Sequence, residues 1–141
     1  MNDSEVTAVL NRLLHVLCRS LPMYLAEAKP FGRRRDQPLQ EALASLVADQ
    51  HALAGRVSRA ISERGGRPEP GRFPIEFTGM NDVAIDFLLP ELVRRQGHDV
   101  EAIQRCVADL VEVPDVRSLA EETLRSAKGH LDALREMTND Q

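Results

Sequence analysis

Residues 65–80 read GGRPEPGRFPIEFTGM, and this stretch decides how the rest of the chain can fold. Its closely spaced prolines and glycines are incompatible with a continuous helix. When extended, these 16 residues can span about 50 Å, whereas a helix of about 26 residues is about 39 Å long. The segment can therefore travel the length of a helical bundle. Phe73, Ile75 and Phe77 alternate with polar or turn residues, which predicts a strap that packs against the helices.

Four stretches with helical apolar periodicity flank this strap. They cover about residues 3–28, 38–65, 81–110 and 114–137, with the last beginning between Pro114 and Ser118. Asp3 or Ser4 is expected to cap the first helix. Ser118 and Glu121 form a candidate capping box for the fourth helix. Because Pro90 falls inside the third stretch, we predict a kink there.

These elements predict an all-α fold in one domain over residues 1–141, with a long crossover between the second and third helices. Short loops join the other helices, and this pattern of connections is typical of ferritin-like bundles and not of simple up-down bundles. Pro30 should end the first helix, and the basic loop at residues 31–36 should be solvated. The chain therefore has the order of elements that a four-helix bundle with one crossover requires.

Composition narrows the environment and the partners. The formal net charge is -4 with 28% charged and 43% hydrophobic residues, which gives no global basic field for nucleic acid. No apolar run reaches the length of a membrane span, and the polar start Met1-Asn2-Asp3-Ser4-Glu5 does not resemble a secretory signal. We therefore expect a cytoplasmic protein without nucleic-acid or membrane partners. Cys18 and Cys106 lie far apart in helical positions, and we interpret them as small core residues.

Two histidines are each preceded, three residues earlier, by an alanine where a known metal-binding motif has a glutamate. His51 and His130 each follow an alanine by three residues, in Ala48-Asp49-Gln50-His51 and Ala127-Lys128-Gly129-His130. A Glu-x-x-His pair on each of two helices marks the di-iron sites of ferritin-like proteins. The chain resembles the bacterioferritin branch of that family in three places, which are Leu10-Asn11-Arg12-Leu13-Leu14 followed by Tyr24, His51-Ala52, and Glu122-Thr123-Leu124-Arg125 followed by Gly129-His130-Leu131-Asp132-Ala133-Leu134.

The resemblance implies where iron ligands would lie. The glutamate of the family's first helix falls on Leu17, and that of the third helix falls on Leu92, or on Arg94 in the other alignment. The two Glu-x-x-His pairs fall on Ala48 with His51 and on Ala127 with His130. No carboxylate remains at these positions, so we do not expect ferroxidase activity or a bridged di-iron centre. We expect the former ligand positions to converge at mid-bundle.

The resemblance also bears on haem and on assembly. The methionine that holds haem in the family corresponds to Asp49, so no haem is expected. The family's cage uses a fifth helix, whereas this chain stops at Gln141. We therefore expect a homodimer through the first two helices in place of a 24-subunit cage.

Two functions remain open from the sequence. The first is a non-catalytic, dimeric scaffold for binding or interaction, in which His51 and His130 are hydrogen-bonded core residues and no cofactor is held. The alternative is a metal-binding protein or oxidoreductase with a rearranged site. In that case His51 and His130, helped by Cys18 or a water, would bind one transition-metal ion. The sequence names no partner, ligand or pathway.

Overall fold

The computed structural model describes residues 1–28 and 37–139. Within these ranges every regular element is helical, which confirms the all-α prediction. No helix of the described part is long and apolar enough to cross a membrane. The end predicted at Pro30 and the basic loop at residues 31–36 lie outside the described residues. The elements are α1 (Asp3–Cys18), α2 (Leu21–Ala28), α3 (Gln37–Glu63), two 3-10 helices (Ile75–Met80 and Ile85–Leu88), α4 (Leu89–Asp109) and α5 (Pro114–Asn139).

The first predicted helix is interrupted, so the prediction of one continuous helix is wrong. α1 ends at Cys18 and α2 begins at Leu21. Pro22 explains the break, because proline has no backbone N–H and its ring collides with the carbonyl four residues earlier, that of Cys18. The Ser20 hydroxyl accepts a hydrogen bond from the Met23 backbone N–H over 3.3 Å and caps the new helix.

Three predicted helix boundaries also need correction. Asn2, and neither Asp3 nor Ser4, caps α1 through a reciprocal capping box with Glu5. α5 begins at Pro114, so Ser118 lies inside the helix and its predicted capping box is wrong. The third predicted helix starts as 3-10 turns, and α4 proper begins at Leu89 with Pro90 in its first turn. Because a first-turn proline loses no intrahelical hydrogen bond, no mid-helix kink arises there.

The long helices pack as neighbours around two apolar clusters. α1 and α5 each pack against both α3 and α4. Arg64 near the end of α3 pairs with Asp3 at the start of α1 and with Asp115 at the start of α5. α3 therefore runs antiparallel to both helices. The larger cluster centres on α1, and its fully buried large side chains are Leu10, Leu13, Leu14, Leu17, Ile61 and Ile103. The second cluster centres on α2 and the start of α4, and its fully buried large side chains are Leu21, Leu25, Leu43, Leu46, Leu89 and Leu92.

The strap lies along α1 and α2. Asn11 accepts a hydrogen bond from the Glu69 backbone N–H over 2.7 Å, and its amide donates to the Arg67 carbonyl over 3.1 Å. Farther along the chain, the Tyr24 hydroxyl donates to the Asn81 side chain over 2.6 Å. Later residues of the strap therefore contact later residues of α1 and α2. The strap runs alongside these two helices from the middle of α1 to α2.

Aromatic packing fixes the far part of the strap. The rings of Phe73 and Phe77 lie 5.3 Å and 5.6 Å from the ring of Tyr24, distances typical of favourable aromatic pairs. Phe77 is buried, whereas Ile75 is 86% exposed. The prediction of a packed strap is thus right for the two phenylalanines and wrong for Ile75, because the 3-10 helix that starts at Ile75 replaces the alternation of an extended chain.

Candidate functional site

Three of the four positions at which the resemblance would place iron-binding carboxylates lie in the apolar interior. Leu17, Leu92 and Ala127 are 2%, 1% and 7% exposed. Leu17 and Ala127 belong to the larger cluster, and Leu92 belongs to the second cluster. The Gln96 side-chain amide donates to the Ala127 carbonyl over 3.1 Å and joins α4 to α5 at this level. The side chains of Leu17, Leu92 and Ala127 are hydrocarbon and cannot bind a metal ion.

The expectation that Ala48 and His51 face the core is wrong, since both residues are exposed. The buried positions of α3 follow helical spacing through Leu46, Gln50 and Leu53, and Ala48 and His51 fall on other faces of the same turns. The interior position of this turn is therefore occupied by Gln50. Its side-chain oxygen accepts a hydrogen bond from the Ser20 hydroxyl over 2.7 Å.

His130 contacts Asp49. Its Nε2 lies 2.7 Å from a carboxylate oxygen of Asp49, which links α5 to α3. His51 does not share this contact. Among residues 1–28 and 37–139, no three or more His, Cys, Asp or Glu side chains are grouped as metal ligands. Cys18 and Cys106 are free cysteines, and burial raises the pKa of both thiols.

An open groove of about 720 Å³ lies between α1 and α4. Arg12 crosses it and pairs with Asp109 over 2.6 Å. The guanidinium of Arg12 also lies 3.9 Å from the buried Cys106 sulfur. The hydrogen bond that Arg12 donates to Asp109 raises the pKa of Arg12, so these two opposite charges are paired with each other.

A smaller cavity of about 120 Å³ lies where α1 breaks before α2 and adjoins the groove at His15 and Val16. Its lining combines polar side chains, such as Arg19 and Asp99, with apolar ones, such as Leu21 and Phe77. Burial raises the pKa of Asp99 in this lining to about 7, against the opposing influence of the Arg95 charge. A carboxyl that titrates near neutrality inside a cavity is typical of functional sites. The cavity is lined by His15, Val16, Arg19, Ser20, Leu21, Pro74, Phe77, Arg95, His98 and Asp99.

Backbone contacts with the strap orient the two α1 side chains at this cavity. Nδ1 of His15 lies 2.8 Å from the Pro70 carbonyl oxygen. Because a carbonyl can only accept, Nδ1 carries a hydrogen, and Nε2 of the neutral ring is left as an acceptor. Arg19 donates from Nε to the Gly71 carbonyl over 2.7 Å and lies over the Phe73 ring at 4.8 Å. Neither contact neutralises the charge of Arg19.

The sequence interpretation missed this cavity and its polar residues. His15 and Arg19 lie one turn apart on α1, and Asp99 lies three residues after the buried Gln96 on α4. Pro22 was the available signal, because a proline within an apolar helical stripe indicates an interruption where side chains can enclose space. The strap that covers the opening becomes apparent only in three dimensions.

No family model matches the chain, and comparisons with curated proteins and with solved structures found no match.

Proposed function

We propose that this chain is a non-catalytic ferritin-like protein, a single four-helix bundle domain over residues 1–141 that acts in the cytoplasm as a dimeric scaffold for binding or interaction. The observation that carries the proposal is the burial of Leu17, Leu92 and Ala127 among apolar side chains. These are the positions at which the family resemblance calls for iron-binding carboxylates. Here the same places supply core packing.

The arrangement of helices supports the ferritin-like assignment. α1 and α2 together correspond to one broken long helix, which with α3, α4 and α5 makes four. The strap follows α1 and α2 from Asn11 in α1 to Tyr24 in α2. A connection that travels along the bundle in this way supports a crossover between the second and third long helices.

The chemistry of the interior supports the absence of ferroxidase function. A bridged di-iron centre needs several oxygen ligands whose negative charge balances the metal ions. Without metal, the same carboxylates would repel one another and lose hydration. Leu17 and Leu92 avoid that cost and add apolar burial. The exposed position of His51 and the pairing of His130 with Asp49 favour this function over a metal site shared by the two histidines.

Iron oxidation tests the non-catalytic part of the proposal. The native chain, purified without chelators, should carry no stoichiometric metal. It should oxidise ferrous ion no faster than buffer, and ferrous or zinc ions should not raise its melting temperature, since a ligand stabilises only by binding the folded state. Stoichiometric metal, or a saturable rise in melting temperature, would show that the scaffold function is wrong and would favour the rearranged metal site.

The proposed dimer uses the outer face of α3 beside α1. Exposed small residues line this face and would allow a second helix to approach closely, namely Ala44, Ala48, Ala52 and Gly55. We expect sedimentation velocity to show a dimer for the native chain. Ala48→Glu should give a folded monomer, whereas Gln104→Glu, with the same charge change on the exposed part of α4, should remain dimeric. A dimer that survives Ala48→Glu would contradict this interface.

A further inference from the structure

The cavity at the break between α1 and α2 has the size of a small-molecule site. Its volume is about 120 Å³, somewhat below the roughly 150 Å³ of an engineered apolar cavity that holds benzene. The adjoining groove along α1 and α4 provides an opening, because His15 and Val16 line both spaces. A ligand of about six non-hydrogen atoms therefore fits.

The charge of the lining favours an anion. Arg95 is neutralised, because Glu91 lies 2.7 Å and Glu76 lies 3.2 Å from its guanidinium. Arg19 in contrast donates to the carbonyls of Gly71 and Cys18 over 2.7 Å and 3.2 Å. No carboxylate of the described chain forms an ion pair with Arg19, so its positive charge remains for a ligand.

The other polar groups can complete recognition of a carboxylate. His15 is held by Pro70 through Nδ1, which leaves Nε2 to donate to an anion once the ring is protonated. Asp99 has a pKa raised to about 7 by burial, so near neutral pH a large share of this carboxyl carries a proton that it can donate. Because the Ser20 hydroxyl is already used to bond Gln50, the donors that remain come from α1 and α4.

The remaining surface suits a short hydrocarbon group. Val16, Leu21 and Phe77 contribute apolar side chains to the same cavity, and Leu21 and Phe77 are almost fully buried. A pocket with one positively charged region and one apolar region favours molecules that carry a negative charge at one end and a hydrocarbon group at the other. Neither a bare inorganic ion nor a plain hydrocarbon would use both regions.

We propose that this cavity binds small aliphatic monocarboxylates, with Arg19 supplying the charge, His15 and Asp99 supplying hydrogen bonds, and Val16, Leu21 and Phe77 contacting the hydrocarbon part. This site is separate from the dimer face of α3, so it can exist whether or not the chain dimerises. It adds a ligand class to the scaffold and requires no catalytic step.

Butyrate is a suitable probe, with n-butanol and n-butylamine as controls of the same length. In an NMR titration of the full chain at pH 6, butyrate should bind saturably with Kd of about 1 mM or lower. Its shifts should map to the cavity, and the two controls should bind at least about tenfold more weakly, because they lack the negative charge. The proposal is overturned if butyrate shows no saturation up to about 20 mM, or if butanol binds equally well.

Arg19→Gln should weaken butyrate binding by about tenfold or more, since it removes the only unpaired positive charge in the described lining. Arg56→Gln is the matched control, because Arg56 pairs with Glu122 between α3 and α5, away from this cavity, and should leave the affinity unchanged. Equal effects of the two substitutions would contradict the site.

The response to pH gives a test that does not depend on whether the Arg19 variant folds. Butyrate affinity should fall by about tenfold between pH 6 and pH 8 as Asp99 loses its proton. Asp99→Asn should make that fall smaller, because it removes the contribution of Asp99 and leaves the imidazoles of His15 and His98 and the charges of Arg19 and Arg95 in the lining. An unchanged pH profile in Asp99→Asn would overturn the role of Asp99 in the proposal.

Discussion

The Ser20 hydroxyl donates a hydrogen bond of 2.7 Å to the side-chain oxygen of Gln50. Both residues are buried, at 4% and 6% exposure, and the bond joins the break between α1 and α2 to the middle of α3. Ser20 also accepts from the Met23 backbone N–H at the start of α2. One hydroxyl thus caps a helix and satisfies a buried amide oxygen.

Ser20→Ala should lower the free energy of unfolding by about 2–3 kcal/mol. Loss of the cap accounts for about 1 kcal/mol, and the unpaired buried oxygen of Gln50 accounts for the rest. Adding Gln50→Leu should recover the second part, because an apolar side chain needs no partner. Urea unfolding followed by circular dichroism measures both variants. A double variant no more stable than Ser20→Ala would show that Gln50 does not depend on Ser20.

Gly71→Ala should destabilise the protein by about 1–2 kcal/mol, because Gly71 has a φ of 76° that L-residues adopt at a cost. An added Cβ would also lie 2.8 Å from Nδ1 of His15 and disturb the strap. Gly129→Ala is the matched control in α5, where an added Cβ meets no atom within 4 Å. That variant should gain about 0.5–1 kcal/mol. The opposite signs are measurable as opposite shifts in melting temperature.

The sequence predicts the helical class and the strap well, because apolar periodicity and clustered Pro and Gly are local signals. It fails at the phase of α3. Leu46, Val47 and Ala48 are consecutive apolar residues, so neighbouring faces look equally suited to the core, and the sequence predicts Ala48 inside although it is exposed. Only packing against α1 and α5 selects the face that carries Gln50.

The cavity could not be predicted for a different reason. It depends on the interruption at Pro22 and on contacts between residues far apart in the chain, such as His15 with Pro70. Asp99 has an ordinary helical context, and its unusual environment comes from the elements folded over it. Long-range enclosure of this kind has no signature in local spacing.

Leu17→Glu should lower the free energy of unfolding by about 4 kcal/mol or more, because it buries a carboxylate in an apolar cluster with no partner. Leu17→Met is the control, since it conserves volume and should cost less than about 1.5 kcal/mol. Chemical denaturation compares the two. A well-tolerated Leu17→Glu variant would show that this position lies near water or compensating charge, and would contradict the apolar interior on which the proposed scaffold function depends.

Asp99 should make stability fall as pH rises from about 4 to about 7. Its pKa is about 7 in the folded chain against 3.8 for an unperturbed aspartate, so in this window the folded state holds a proton that the unfolded state has released. The stabilisation is complete below pH 4 and is lost once the pH passes 7. A shift of about three units corresponds to about 4 kcal/mol, and solvent access to this half-buried side chain reduces the expected effect to about 2 kcal/mol.

Asp99→Asn isolates this effect, because asparagine keeps the shape of the protonated acid and cannot ionise. The variant should equal the native chain in stability at pH 4 and exceed it by about 2 kcal/mol at pH 8. The neighbouring side chains His15, Arg19, Arg95 and His98 are the same in both proteins, so the difference in stability reports the ionisation of Asp99. Urea unfolding at pH 4, 6 and 8 gives the comparison. A constant difference across that range would mean that Asp99 is ionised throughout and that burial does not hold its proton.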